Sequence, residues 1–266
     1  MKNIAIIAPS GHIEDIEKLL YAKTFMENFG MNVKIFPSCY EKFRYMAGDD
    51  DIRLKDLHSA YLDKNIDTII CARGGYGIIR LLDKIDYNII KNNPKKIIGS
   101  SDITALLVSI YKKTNQITYH GKMALNGISN MEKEEFLNYK NSIENNIYNC
   151  PKINASGILW GGNLATIVSL FGSAPENYIP NDDIILFLED INEPDYKIDR
   201  MLTQILRNKP LISKINGVIF GEFTGAGKYL NEILEEFISK LKVPSAFDKS
   251  ITHGKENTIV PVGIKI

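Results

Sequence analysis

Ser100 and Ser101 are adjacent in the stretch KKIIGSSDITALLVSIYKKT, Lys95 to Thr114, between an apolar run and a run with helical spacing. A turn of small residues at such a junction can use a serine in two ways. The hydroxyl can cap the helix by accepting from an amide of its first turn. Alternatively, a sharp strand-to-helix turn lifts the hydroxyl above the sheet as a nucleophile, and the next amide serves an oxyanion hole. The last position of the GxSxG elbow pattern is here Ile103 rather than glycine, so from this stretch alone a cap by Ser100, Ser101 or Asp102 is the commoner reading. A serine nucleophile also needs a base, and the base needs a group that orients it.

The search for a base is short, because the chain has 4 histidines. His58 lies in an amphipathic pattern with Leu54, Leu57 and Tyr61 and reads as a packing or surface residue. His12 follows the first apolar run and either borders a site or begins a helix. His120 ends QITYH just before Gly121. His253, in SITHGKENTIVPVG, lies in a loop with Gly254 beside it, placed for access rather than packing. No HxxxH or HxH spacing occurs, so no metal site is expected. Among the acids, Glu189 stands out because it directly follows the apolar run IILFL and is carried on the end of a buried strand. It either caps or neighbours the helix from Tyr196 onward, or it is a buried carboxylate in need of a partner, for which a histidine is suited.

A further stretch, ICARGGYGIIR, sets a glycine-rich turn between a strand and a helix. Gly74, Gly75 and Gly77 would let backbone amides approach a ligand closely at a helix N-terminus. The stretch matches neither GxGxxG nor a Walker sequence, and a tight turn explains it as well. Arg73 at the strand end favours an anion or carboxylate site over the bare turn.

These residues need elements to position them. The first half alternates apolar runs (NIAIIA, NVKIF, DTIICA, KKIIG, QITYH) with helical patterns over IEDIEKLLYAKTFMENFG, DIRLKDLHSAYLD, YGIIRLLDKI and ITALLVSIYKK. That alternation predicts βαβ units and a parallel sheet, whose ligands gather at the carboxyl ends of the strands. From Asn126 to Ser156 the sequence turns polar and Asn-rich, with a short helix around Glu134 to Tyr139, which marks a domain boundary. The second half shows strands at IILFLE, GVIFGEF and TIVPVGIKI, and helices near NLATIVSLFG, KIDRMLTQILRN and LNEILEEFISKL. No internal repeat is present, which argues against an array.

Composition narrows the class. The 266 residues can bury a large core, and 44% hydrophobic with 24% charged residues is ordinary for a soluble globular protein. Lys+Arg and Asp+Glu are both 32, so net charge gives no case for nucleic acid or an acidic membrane surface. The run Ile4 to Ala8 is too short for a signal-peptide core and no run is long enough to cross a bilayer. Cys39, Cys71 and Cys150 are odd in number and form no CxxC pair, so neither disulfides nor a zinc knuckle is expected. A cytoplasmic location follows as an expectation.

Taken together, the motifs IAPSG, MAGDDDIRLKDLHSA, ARGGYG, IIGSSDITAL, TYHGKM, GILWGGNLA, LFLEDINEPDYKIDRML and the closing HG and PVG resemble those of the LD-carboxypeptidases, over nearly the whole length. These serine peptidases trim the terminal D-amino acid from bacterial cell-wall tetrapeptides. The resemblance implies Ser101 as nucleophile, Glu189 as the triad carboxylate and His253 as the general base, in the chain order serine, acid, histidine. It implies an oxyanion hole made by the amide of Asp102 with one from Gly74 or Gly75, such donors being worth roughly 3 kcal/mol each. Two positions depart from the family pattern: Thr252 stands where glycine is common, and Ser100 where an aromatic residue is frequent.

The implied fold is α/β: a Rossmann-like (flavodoxin-like) parallel-sheet N-terminal domain over residues 1–135 carrying the serine, a linker over 136–156, and a smaller α/β C-terminal domain over 157–266 carrying the glutamate and histidine. The active site would lie in the cleft between them. Arg73 is a candidate for the peptide's terminal carboxylate, or else a partner in a domain-interface ion pair. Trp160 either walls the pocket or belongs to the core. No cofactor is expected, the substrate is a murein tetrapeptide or related peptide, and the family suggests a homodimer. Two rivals remain. One is a peptidase similar to the microcin C immunity enzymes, acting on aminoacyl nucleotide conjugates; the other is a non-catalytic binding protein with ARGGYG as an anion cradle and Ser101 as a cap.

Overall fold

The computed structural model describes residues 1–125, 127–252 and 258–266. Its first sheet is built from β1 (Asn3–Ile7), β2 (Asn32–Ile35), β3 (Thr68–Cys71), β4 (Lys96–Gly99) and β5 (Thr118–His120), all parallel, in the order β2-β1-β3-β4-β5. This is the doubly wound, flavodoxin-like order. Side chains alternate between its faces. In β1, Ala5 and Ile7 pack on the face covered by α2 (Asp50–Leu62), α3 (Tyr87–Asn92) and α4 (Thr104–Thr114), whereas Ile4 and Ile6 pack toward α1 (Ile16–Glu27) and α5 (Lys133–Asn145). Burial on both faces explains why these strands read as continuous apolar runs. Three of the helices begin on aspartate caps: Asp15 accepts from the amide of Lys18, Asp49 from that of Ile52 and Asp86 from that of Asn88.

The second sheet holds β6 (Ile158–Asn163), β7 (Ile184–Ile191), β8 (Ile215–Thr224) and β9 (Ser245–Phe247), again parallel and in chain order. Its crossovers contain α6 (Leu164–Ser169), α7 (Asp195–Arg207), α8 (Lys209–Ile212) and α9 (Leu230–Leu241). Between the two sheets runs α4, buried without interruption from Thr104 to Tyr111. One hydrophobic cluster therefore spans both sheets, joining Ile69, Ile97 and Leu106 to Trp160, Leu186 and Phe220. The seam between the halves is dry core, not a hinge of loops.

The last strand, β10 (Val260–Val262), leaves the second half and pairs antiparallel with β5, adding an edge to the first sheet. The run TIVPVGIKI thus serves both sheets: Val260–Val262 closes the N-terminal one, and residues 263–266 bond antiparallel along β6 at the edge of the other. The helix expected over YGIIRLLDKI appears as two short 3-10 turns, Ile78–Arg80 and Leu82–Lys84. The amides of Arg80 and Leu81 donate to the carbonyls of Gly77 and Ile78, three residues back, so the segment winds as 3-10 turns; the Ile78 amide is taken by the Asp102 carboxylate, and the Gly77 carbonyl also accepts from Arg53.

Candidate active site

Ser101 follows β4 after the single residue Ser100 and opens a 3-10 turn, Ser101–Ile103, that runs into α4. Its φ is 56°, in the left-handed region that a residue with a Cβ adopts at a cost of roughly 1–3 kcal/mol. The strained strand-to-helix turn of a nucleophile elbow has this character. Capping does not account for the serines, because neither Ser100 nor the start of α4 shows a side-chain cap hydrogen bond. The two hydroxyls also differ in access, with Ser100 buried and Ser101 half-buried.

The ARGGYG loop, at the end of the neighbouring strand β3, is pressed against this turn. A Cβ placed on Gly74 would lie 2.8 Å from the Ser101 Cβ, 3.0 Å from its Oγ and 3.5 Å from the Asp102 nitrogen. Only a glycine lets this backbone come so close to the hydroxyl. Gly75 packs in turn on Gly11 of the loop after β1, and the Gly11 amide donates to the Gly74 carbonyl at 3.1 Å.

The Asp102 side chain is not a cap either. Its Oδ2 accepts from Ser10 Oγ at 2.6 Å and from the Ile78 amide at 3.0 Å. Burial pushes this carboxyl above its ordinary value, opposed by those hydrogen bonds and by the nearby Arg53 charge. The sequence gives no local signal for this bond, whose partners are 92 and 24 residues away.

Glu189 lies near the end of β7, fully buried. Its Oε1 is 3.7 Å from Nε2 of His120, itself buried at the end of β5, and the His120 ring stands edge-on to Phe187 at 5.5 Å. His120 is the direct strand partner of Gly99, two residues before Ser101. The structure therefore brings Glu189, from the second sheet, to the edge of the first where Ser101 emerges. Beside it, Asp190 accepts from Asn163 Nδ2 and from the Ala165 amide, each at 3.0 Å, fixing the turn of WGGNLA. The chain leading to His253 is held at the same place. Gly221 sits between Ile251 and Glu189, since a Cβ there would be 2.9 Å from the Ile251 Cβ and 3.0 Å from the Glu189 Cβ. Thr252 is buried, and its hydroxyl donates to the Glu222 carboxylate. His253 itself lies outside the described residues.

Arg73 is half-buried and donates from Nη1 to the His12 carbonyl at 3.1 Å. Among the described residues it forms no ion pair. His58 accepts from the Asp86 amide at 3.0 Å and is structural. Trp160 is fully buried in the shared core and presents no surface to a ligand; of its two readings, the core one describes its position. Its strand, β6, pairs with β7 in the sheet and packs against α4, α6 and β10. Among the described residues no group of three His, Cys, Asp or Glu could hold a metal ion, and no helix is long and apolar enough to cross a membrane.

Residues 4–121 match the model of the LD-carboxypeptidase N-terminal domain, and residues 156–266 that of the LD-carboxypeptidase C-terminal domain. The chain belongs to the LD-carboxypeptidase family. A probable murein peptide carboxypeptidase of Bacillus subtilis is 31% identical over 98% of this chain and 87% of its own length. Among solved structures, the muramoyltetrapeptide carboxypeptidase of Oxalobacter formigenes superposes with a TM-score of 0.87 at 25% identity, covering 99% of this chain and 94% of that one. The microcin C7 self-immunity protein MccF of Escherichia coli is 28% identical over 84% of this chain and 76% of its own length. As an LD-carboxypeptidase of this family the protein is a serine-type peptidase with the two-sheet α/β fold described above.

Proposed function

We propose that this LD-carboxypeptidase hydrolyses the amide that joins the terminal D-alanine to a murein tetrapeptide, with Ser101 as nucleophile, His253 as general base and Glu189 orienting the histidine. The observation that carries the reading is the left-handed Ser101 beneath the Gly74 backbone, at the seam where Glu189 is buried. In this mechanism His253 takes the Ser101 proton as Oγ adds to the carbonyl carbon. The oxyanion faces the amides of Asp102 and of Gly74 or Gly75, placed before the reaction begins. Collapse breaks the C–N bond, D-alanine leaves with the proton from His253, and water then hydrolyses the acyl-enzyme by the same route. Glu189, desolvated at the strand end, fixes the imidazole tautomer and stabilises its charged form.

Arg73 supports the substrate class. Its guanidinium stands at the end of β3 next to the Gly74–Gly75 segment and donates to the His12 carbonyl, and a guanidinium suits a peptide's terminal carboxylate. The similarity to MccF keeps a second substrate class in view, aminoacyl nucleotide conjugates. Trp160 is in the core, but the exposed rings of Tyr45 and Tyr76, edge to face at 5.6 Å beside the ARGGYG loop, offer an aromatic surface to either substrate class. The murein reading is preferred on Arg73 and on the likeness to a probable murein peptide carboxypeptidase over 98% of this chain. Parallel assays of a murein tetrapeptide and an aminoacyl sulfamoyl adenosine decide between them: tetrapeptide turnover alone supports the reading, and cleavage of the conjugate alone overturns it.

A further inference from the structure

Three loops meet around Ser101, and two side chains of opposite charge, Asp102 and Arg53, tie them together. Asp102, next to the nucleophile, holds the hydroxyl of Ser10 and the amide of Ile78 on one carboxylate oxygen. Ser10 belongs to the loop after β1, and Ile78 directly follows the ARGGYG loop. Arg53, from α2, grips the same two loops one residue earlier in each: its Nη1 donates to the Pro9 carbonyl at 2.8 Å and to the Gly77 carbonyl at 3.0 Å. Ser10 and Arg53 are both fully buried. Arg53 is held in turn by Asp50, whose Oδ1 is 2.5 Å from its Nη2.

The consequence concerns geometry at the reacting carbon. One donor of the oxyanion hole is the amide of Asp102 itself; the other comes from a separate loop, joined to the first through side chains and through the Gly11–Gly74 backbone bond. Donors on two loops stabilise a developing charge only if their spacing is set in advance. We infer that the Asp102 side chain is a positioning residue. With Ser10 and Arg53 it locks the ARGGYG loop at the distance from the Asp102 amide that the oxyanion requires. This inference rests on Ser101 being the nucleophile.

The test uses a fluorophosphonate probe on the full-length protein, with the modified residue located by mass spectrometry. Oγ of Ser101 bonds to phosphorus, fluoride leaves, and the proton passes to the base, so the rate reports the oxyanion hole independently of the peptide substrate. The native protein is expected to label at Ser101. Asp102→Ala, which keeps the amide and loses the carboxylate, should label about 100-fold more slowly, the order of one lost oxyanion donor. Ser10→Ala should label about 10-fold more slowly, an intermediate loss for one of the two bonds. Asp102→Asn, whose carboxamide oxygen can accept both hydrogen bonds, should recover most of the rate. On a tetrapeptide the same variants should lower kcat with little change in KM, a split that general loosening of the fold would not give. Native-like rates in both alanine variants overturn the clamp while leaving Ser101 in place, as does an Asp102→Asn rate no better than Asp102→Ala. Should Asp102→Ala fail to fold, Ser10→Ala decides. Absence of labelling at Ser101 in the native protein overturns the nucleophile and the clamp together.

Discussion

His120 and Glu189 meet across the seam between the two sheets, with Nε2 3.7 Å from Oε1 and side-chain exposures of 1% and 0%. One side chain is carried by the last residue of β5 and the other by β7, so the contact joins two parallel sheets at their carboxyl ends. Replacing the imidazole by an apolar ring leaves the carboxylate in the same dry setting with one polar neighbour fewer. His120→Phe should therefore lower unfolding free energy by about 2 kcal/mol and reduce turnover as Glu189 shifts. Urea unfolding with matched kinetics checks it; an unchanged midpoint would show the contact to be incidental.

Two glycines separate catalytic from structural crowding. Alanine at Gly74 puts a methyl 2.8 Å from Ser101 Cβ and 3.0 Å from its Oγ, so the serine turn must shift; turnover should fall by about 100-fold, out of proportion to a stability loss of about 1–3 kcal/mol. Alanine at Gly162 meets Thr104 Oγ1 at 2.7 Å and His120 Nδ1 at 3.1 Å, at a φ of 140°. That strain, between buried partners, should destabilise the fold by about 2–4 kcal/mol. Thermal melts and steady-state kinetics on both variants tell the effects apart.

How far this arrangement can be read from the sequence varies with the range of the interaction. β1, β3, β4 and β7 are apolar runs, and their burial on both faces is why they stand out. β6 is masked by Gly161 and Gly162, and β9 is a three-residue edge strand, half-exposed; neither has a run long enough to register. Placing β10 in the first sheet needs a return across the whole second half, which no local pattern encodes. The placement of Ser101 and Glu189 at strand ends is legible locally, whereas their catalytic roles come only from the resemblance. The Asp102–Ser10 and Arg53–Pro9 bonds are not, since they join residues 92 and 44 positions apart. Arg53 and His120 look like ordinary helix and strand residues until the fold surrounds them.

Arg73 is proposed to meet the substrate's terminal carboxylate, an interaction present before and during the reaction. Arg73→Leu should then raise KM by roughly 10- to 100-fold, the scale of one charge-assisted pair, with a smaller change in kcat. Titration with a peptide lacking the free carboxylate supplies the check: native and variant should treat that amide alike. A kcat-only loss would assign Arg73 to loop geometry instead.

Asp50 gathers three cations: Arg53 Nη2 at 2.5 Å, Arg80 Nε at 2.8 Å and Lys84 Nζ at 2.8 Å. The hydrogen bond from Arg80 leads the causes that hold its carboxyl well below the usual carboxylate range, and Lys84 adds to it. A depressed folded-state value means that the stabilisation is complete above the unfolded value, near ~4, and is lost as pH falls toward the folded one. Melting temperature should therefore drop more steeply below about pH 4 in the native protein than in Asp50→Asn, while near neutral pH the native protein should be the more stable. Parallel curves would remove Asp50 from the acid transition.

Ser101 is proposed to attack the amide before a terminal D-alanine. The direct measurement is D-alanine released from a murein tetrapeptide by the native protein, by Ser101→Ala and by Ser100→Ala. Native protein should release it, Ser101→Ala should be slower by on the order of 1,000-fold or more, and Ser100→Ala should stay within a few-fold of native. Release by Ser101→Ala at a native-like rate would contradict the account.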